Sequence, residues 1–136
     1  MRTDAERLNP EIAAHVAANR WLYSAVIYFV IAVGLGVFMG ASHDHRLAGV
    51  HVHLNLLGWV SMALTGFLYR AWPRAAVSRL ARVHFWLYSL ALPPMMVALG
   101  LYLTGTAAAE PVLGICSVLV FVAVLLFAIN VARHSR

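Results

Sequence analysis

Four histidines lie within eleven residues of this sequence, and they are the side chains best suited to chemistry. They are His43, His45, His51 and His53. A neutral imidazole binds zinc, copper and iron, so a cluster of this kind is a candidate metal site. The first pair lies in a polar stretch that contains Asp44, which predicts a loop. The second pair begins a long apolar stretch. Burying an ionisable group in such a stretch is energetically unfavourable, so its presence indicates a functional role.

The second pair is expected to begin a helix, and its spacing limits what one chain can bind. Successive helical residues are rotated by about 100°, so His51 and His53 should point about 200° apart. Two such rings cannot easily bind one ion from the same helix, but they suit a helix between two cofactor sites. Asn55 follows His51 by one turn and could orient it or bridge helices. The alternative is that both histidines hydrogen-bond to water or lipid head groups.

Composition indicates the kind of protein that positions these histidines. The chain is 62% hydrophobic and 11% charged, with a mean hydropathy of +0.80. A soluble domain of 136 residues cannot bury so much apolar surface, so the chain is predicted to be an integral membrane protein. We expect one all-α domain, a bundle of four transmembrane helices, after a polar cytoplasmic segment at 1–20. The predicted spans are about 21–40, 50–72, 83–103 and 111–132.

The arginines predict how the bundle is oriented. Nine of them flank the termini and the loop between spans 2 and 3, whereas Arg46 alone falls on the other side. By the positive-inside rule both termini are cytoplasmic and the histidine cluster is on the non-cytoplasmic side. We therefore expect a multi-pass protein of the bacterial inner-membrane type, in contact with lipid. Because orientation accounts for the arginines, nucleic-acid binding is not expected.

Two stretches of the sequence resemble a known family. Residues 51–60 read H-V-H-L-N-L-L-G-W-V, and Gly66, Tyr69 and Pro73 follow. This pattern resembles the tenth helix of the catalytic subunit of haem–copper oxidases, most closely in the cbb-type oxidases and nitric oxide reductases. The run V-H-F-W-L at 83–87 resembles the eleventh helix, and the two runs are similarly spaced. The resemblance covers spans 2 and 3, about half of the chain.

The resemblance implies that iron is bound as haem b. In that family the first histidine of H-x-H binds the high-spin haem and the second binds the low-spin haem, which correspond here to His51 and His53. His84 matches a family histidine that is not an axial ligand, and we expect it to be an interfacial or packed histidine far from the pair. The family helices that carry the copper ligands, the other low-spin ligand and the cross-linked tyrosine have no counterpart here. Activity as an oxygen-reducing oxidase is therefore not expected, and whether the chain is an enzyme stays open.

The family also suggests an assembly. Its catalytic subunit consists of three arcs of four helices around a pseudo-threefold axis, and this chain has the size of one arc. A homotrimer could then place His51 of one protomer opposite His53 of the next, with haem b between them. Iron bound by two histidines has no free coordination position and suits electron transfer, with a redox partner or quinol as donor or acceptor. Iron bound by one histidine could bind a gas.

Two further classes of function remain open. His43 and His45 could converge with His51 and Asp44 on copper or zinc, since imidazole suits both metals. The chain could instead be a cofactor-free accessory or assembly subunit of a respiratory complex. An absorption band of haem would distinguish a haem protein from a zinc protein, which has none. Capture of a larger complex by a colourless protein would indicate an accessory subunit.

Overall fold

The computed structural model describes residues 9–134, and all of their regular structure is helical. Four helices are long and apolar enough to cross a membrane. They are span 1 (Pro10–Ser42), span 2 (Ala48–Ala71), span 3 (Arg79–Leu103) and span 4 (Ala107–His134). Span 2 consists of an α-helix at Ala48–His53, a π-helix at Leu54–Ser61 and an α-helix at Met62–Ala71, and the short helix Pro73–Ala76 follows it. The prediction of an all-α protein with four helices long and apolar enough to span a membrane is confirmed.

Span 1 starts before the apolar stretch that predicted it. The side chain of Asn9 accepts a hydrogen bond from the Glu11 backbone N–H at 3.0 Å, and Pro10 occupies the first helical position. This combination starts a helix because the Asn9 side chain satisfies a backbone N–H of the first turn, and because proline has no backbone N–H that would need an acceptor. The helix then continues for 33 residues into the apolar part of the span. Residues 1–8 of the predicted polar segment lie outside the described part of the chain.

The spans pack in chain order. Span 1 lies along span 2, the first half of span 2 lies against span 3, and span 3 lies along span 4. Two glycines of span 2 permit the first of these contacts, because a Cβ at Gly58 would lie 2.6 Å from Tyr28 and one at Gly66 would lie 2.8 Å from Leu22. Small residues are a common means of close helix packing in membranes.

The outer surface of the bundle is apolar. Span 2 exposes a single stripe of large hydrophobic side chains, and spans 1 and 4 expose many more. An apolar surface of this extent would cause aggregation in water, and it suits contact with the hydrocarbon chains of lipids, as the composition predicted. The stripe on span 2 consists of Val52, Leu56, Val60, Leu64 and Phe67.

Side-chain contacts define the two ends of the bundle. At one end, which we call the arginine end, Ser78 donates to Asn130 at 2.7 Å and Arg70 donates to Asn19. At the other, the histidine end, Gly49 of span 2 packs against Leu103 of span 3. The described arginines other than Arg46 belong to the arginine end. Arg20 lies within the helix Pro10–Ser42, and the others lie at or near helix termini; they are Arg70, Arg74, Arg79, Arg82 and Arg133.

Candidate functional site

His51 is held by the neighbouring helix. Its Nδ1 lies 2.8 Å from the backbone carbonyl oxygen of Ala32 in span 1. A carbonyl oxygen only accepts, so Nδ1 carries the hydrogen and donates it. In the neutral ring Nε2 then keeps its lone pair, which is the form that binds a metal through Nε2. His51 is only partly buried, although it lies between two helices.

Gly36 makes room for this ring. A Cβ at position 36 would lie 2.9 Å from Cε1 of His51 and 3.3 Å from Nδ1, closer than side chains ordinarily approach. Equivalent atoms at Gly34 and Gly40 would meet nothing within 4 Å. The imidazole therefore packs directly on the backbone of span 1, one turn after the carbonyl that it contacts. Sequence reasoning did not identify Ala32 or Gly36, and the three glycines of this span look alike in the sequence.

Asn55 lies beside His51, as its spacing of one helical turn predicts. Its side-chain nitrogen donates to the His51 backbone oxygen at 2.9 Å and lies 3.4 Å from Nε2 of the same ring. The second distance is long for a hydrogen bond, so the first contact holds the amide in place. The amide of Asn55 is thus close to the nitrogen through which His51 would bind a metal.

The Nδ1 atom of His53 also contacts a backbone carbonyl oxygen, but this oxygen belongs to its own helix. Its Nδ1 lies 2.7 Å from the carbonyl oxygen of Gly49, four residues earlier, and within residues 9–134 its Nε2 has no hydrogen-bond partner. His134 makes the same contact with Asn130 at 2.9 Å, so this bond alone is an ordinary feature of helices. The contact between His51 and span 1 is the more informative of the two.

The two rings lie on different flanks of span 2. Both histidines belong to the regular α-helix Ala48–His53, so the separation of about 200° expected from the sequence applies. The π-helix Leu54–Ser61 begins immediately after them and contains Asn55. Segments of π-helix are rare and occur often at functional sites. No feature of the sequence predicted this one.

The loop after span 1 is organised by an ion pair. Arg46 contacts both carboxylate oxygens of Asp44, with a shortest distance of 2.6 Å, and its backbone N–H also donates to this carboxylate. These hydrogen bonds from Arg46 lower the pKa of the Asp44 carboxyl to about 2. His43 ends span 1 in the left-handed conformation with φ 54°, and His45 is exposed.

The predicted copper or zinc ligands do not form a preformed cluster. Among residues 9–134, no three side chains of the His, Cys, Asp and Glu types come together in a metal-holding group. The structure therefore does not bring His43, His45 and His51 together with Asp44, whose carboxylate contacts Arg46. Copper or zinc binding at this loop stays a prediction.

A buried polar cluster lies at the arginine end. His84 is 2% exposed, and its Nδ1 lies 3.0 Å from the Tyr69 hydroxyl, which also accepts from Asn130 at 3.3 Å. The Trp21 ring covers His84 with a centroid distance of 4.4 Å. Of the two expected possibilities, interfacial or packed, His84 is thus the packed one, and the cluster joins spans 2, 3 and 4. Sequence reasoning missed the cluster because its members are up to 61 residues apart.

Comparison of the chain with protein-family models, with curated proteins and with solved structures finds no match in any of the three. The resemblance to two helices of haem–copper oxidases thus depends on the motif residues of spans 2 and 3.

Proposed function

We propose that this protein holds haem b in the membrane and transfers electrons, with His51 and His53 as the iron ligands. The observation that carries the proposal is the hydrogen bond from Nδ1 of His51 to the Ala32 carbonyl at 2.8 Å. Histidines that bind metals almost always donate their other ring nitrogen to such a partner, which fixes the tautomer and the ring orientation. Span 1 therefore prepares His51 to bind through Nε2.

The surroundings of the two histidines are consistent with haem. His53 presents Nε2 in the same way, because Nδ1 is taken by Gly49. The side chain between them, Val52, is apolar and exposed and can contact a porphyrin without competing for the iron, whereas Val50 and Leu54 are buried within the bundle. When bound, haem supplies a one-electron carrier whose potential depends on its axial ligands and pocket. The chain's own part is to offer two oriented imidazoles and to exclude water.

We propose that each haem lies between two protomers of a homotrimer. His51 and His53 face opposite flanks of one regular helix, so a single chain cannot direct both rings to one iron. In a trimer, each interface would receive His51 from one protomer and His53 from the next. The separation of the two rings, which is an obstacle within one chain, is what such an assembly requires.

The orientation in the membrane follows from the charges at the two ends. The arginine end carries all described arginines except Arg46, and the positive-inside rule assigns such an end to the cytoplasm. Both termini would then be cytoplasmic, and His51 and His53 would lie toward the non-cytoplasmic side of a bacterial inner membrane. A redox partner or quinol would exchange electrons with the haem near that side.

An absorption spectrum of the detergent-purified protein, produced with haem available, tests the proposal. The oxidised and dithionite-reduced forms should show a Soret band, and the reduced form sharp alpha and beta bands that carbon monoxide does not shift. A shift with carbon monoxide would indicate an open coordination position and gas binding. A colourless protein would refute haem binding, and metal analysis would then separate a copper or zinc protein from a cofactor-free accessory subunit.

A further inference from the structure

A cavity of about 540 Å³ opens at the arginine end, far along the bundle from the histidine pair. It lies between the first turns of span 1, the start of span 3 and the short connection before span 3. Its size is typical of sites that bind small molecules. Its walls include Arg20, Trp21, Arg82, Phe85 and Trp86.

The charge of this cavity is entirely positive. Arg20 and Arg82 are its only charged lining residues among those described, and no Asp or Glu side chain lines it. Neither guanidinium forms an ion pair or a hydrogen bond with another side chain in residues 9–134. Two guanidinium groups without carboxylate partners attract an anion, and their planar donors match phosphate oxygens.

Apart from Ser78 and the Tyr69 hydroxyl, the rest of the lining is apolar and aromatic. Trp21, Phe85 and Trp86 form one part of the wall, and small alanine side chains form much of the remainder. Trp86 is 52% exposed on the outer surface of span 3, so the cavity is continuous with the surface that faces hydrocarbon. A ligand that contacts both the two arginines and the apolar wall needs a phosphate group and hydrocarbon chains, and a phospholipid has both.

We propose that this cavity is a binding site for the head group of an anionic phospholipid. A basic pocket between transmembrane helices suits such a head group. A choline head group would bring a third positive charge next to Arg20 and Arg82, with no carboxylate in the lining to receive it. Tryptophans at this depth favour the boundary between head groups and hydrocarbon. The proposal is independent of haem, and its test needs no bound cofactor.

The test compares two double variants that remove the same net charge from the same end. Arg20→Gln with Arg82→Gln changes the cavity, whereas Arg74→Gln with Arg79→Gln changes exposed arginines that do not line it. The purified full chain is titrated in a neutral detergent with phosphatidylglycerol, and bound lipid is counted by native mass spectrometry. We expect the cavity variant to bind about 30-fold more weakly than the wild type, and the control variant to differ little.

Three further results bear on the proposal. Weak binding of phosphatidylcholine by the wild type would support selection for an anionic head group. Equal losses in the two double variants would overturn it, because binding would then depend on net charge alone. Full competition by inorganic phosphate at concentrations close to those of the lipid would also overturn it, since the site would then recognise free phosphate.

Discussion

The substitution Gly36→Ala is expected to displace His51 without removing its imidazole. The new Cβ would lie 2.9 Å from Cε1, whereas ordinary contacts begin at 3.4 Å, so the ring must retreat by about 0.5 Å. Movement along the line of the hydrogen bond would stretch the Nδ1 to Ala32 oxygen distance from 2.8 Å to about 3.3 Å. That distance exceeds the usual range for an N–H···O bond, which ends at about 3.2 Å.

The free energy of this change can be compared with a matched control. Loss of a hydrogen bond costs about 0.5–1.5 kcal/mol, and replacing glycine by alanine inside a helix gains about 1 kcal/mol. Gly34→Ala makes the same replacement in the same helix where nothing lies within 4 Å of the new atom. Gly36→Ala should therefore be less stable than Gly34→Ala by about 1 kcal/mol or more.

Two measurements on the detergent-purified variants test this reasoning. Thermal unfolding should give a lower midpoint for Gly36→Ala than for Gly34→Ala. The ratio of Soret absorbance to protein should fall in Gly36→Ala alone, because His51 is no longer oriented by span 1. Identical stability and identical haem content in the two variants would refute the role given to the Ala32 hydrogen bond.

The remaining predictions concern single side chains. His51→Ala and His53→Ala should each abolish the bis-histidine spectrum, because every proposed haem takes one ligand of each kind; a reduced spectrum unchanged in either variant would contradict the shared site. Asn55→Leu should keep haem bound but shift its midpoint potential, measured by redox titration, because a polar group leaves the vicinity of Nε2; an unchanged potential would argue against this. His84→Phe should lower the stability by about 1–3 kcal/mol, because the buried Tyr69 hydroxyl loses His84 and keeps only its longer contact with Asn130, while the haem spectrum stays unchanged. Thermal unfolding and the reduced spectrum check both parts, and loss of haem in this variant would show that the two ends are coupled.

The spans could be predicted from the sequence because their signals are local. Long apolar stretches predicted four helices. The start of span 1 at Asn9 and Pro10 also depends only on adjacent residues. The predicted span 2 began near 50, whereas its helix begins at Ala48. The pairing of His51 with Asn55 was also predictable, since it depends only on the spacing of one helical turn.

Contacts between spans could not be predicted in the same way. In a soluble helix the apolar face shows which side packs inward, but a membrane span is apolar on all sides. The rotation of span 1 that brings Ala32 and Gly36 to His51 therefore leaves no clear pattern in the sequence. The same holds for Asn130, which meets Tyr69 through the packing of span 4.

The distribution of polar contacts gives His51 two roles at once. At the arginine end, Asn130 and His84 join several spans through buried hydrogen bonds. In the first half of span 2, two side-chain hydrogen bonds join this span to its neighbours among residues 9–134: His51 donates to the Ala32 carbonyl of span 1, and the Tyr88 hydroxyl of span 3 donates to the Leu57 carbonyl. Removing His51 would thus delete a proposed haem ligand and also loosen the start of span 2. Gly36→Ala weakens the bond to Ala32 but keeps the imidazole, so comparing the two variants separates its proposed contribution to binding iron from its contribution to holding the helix.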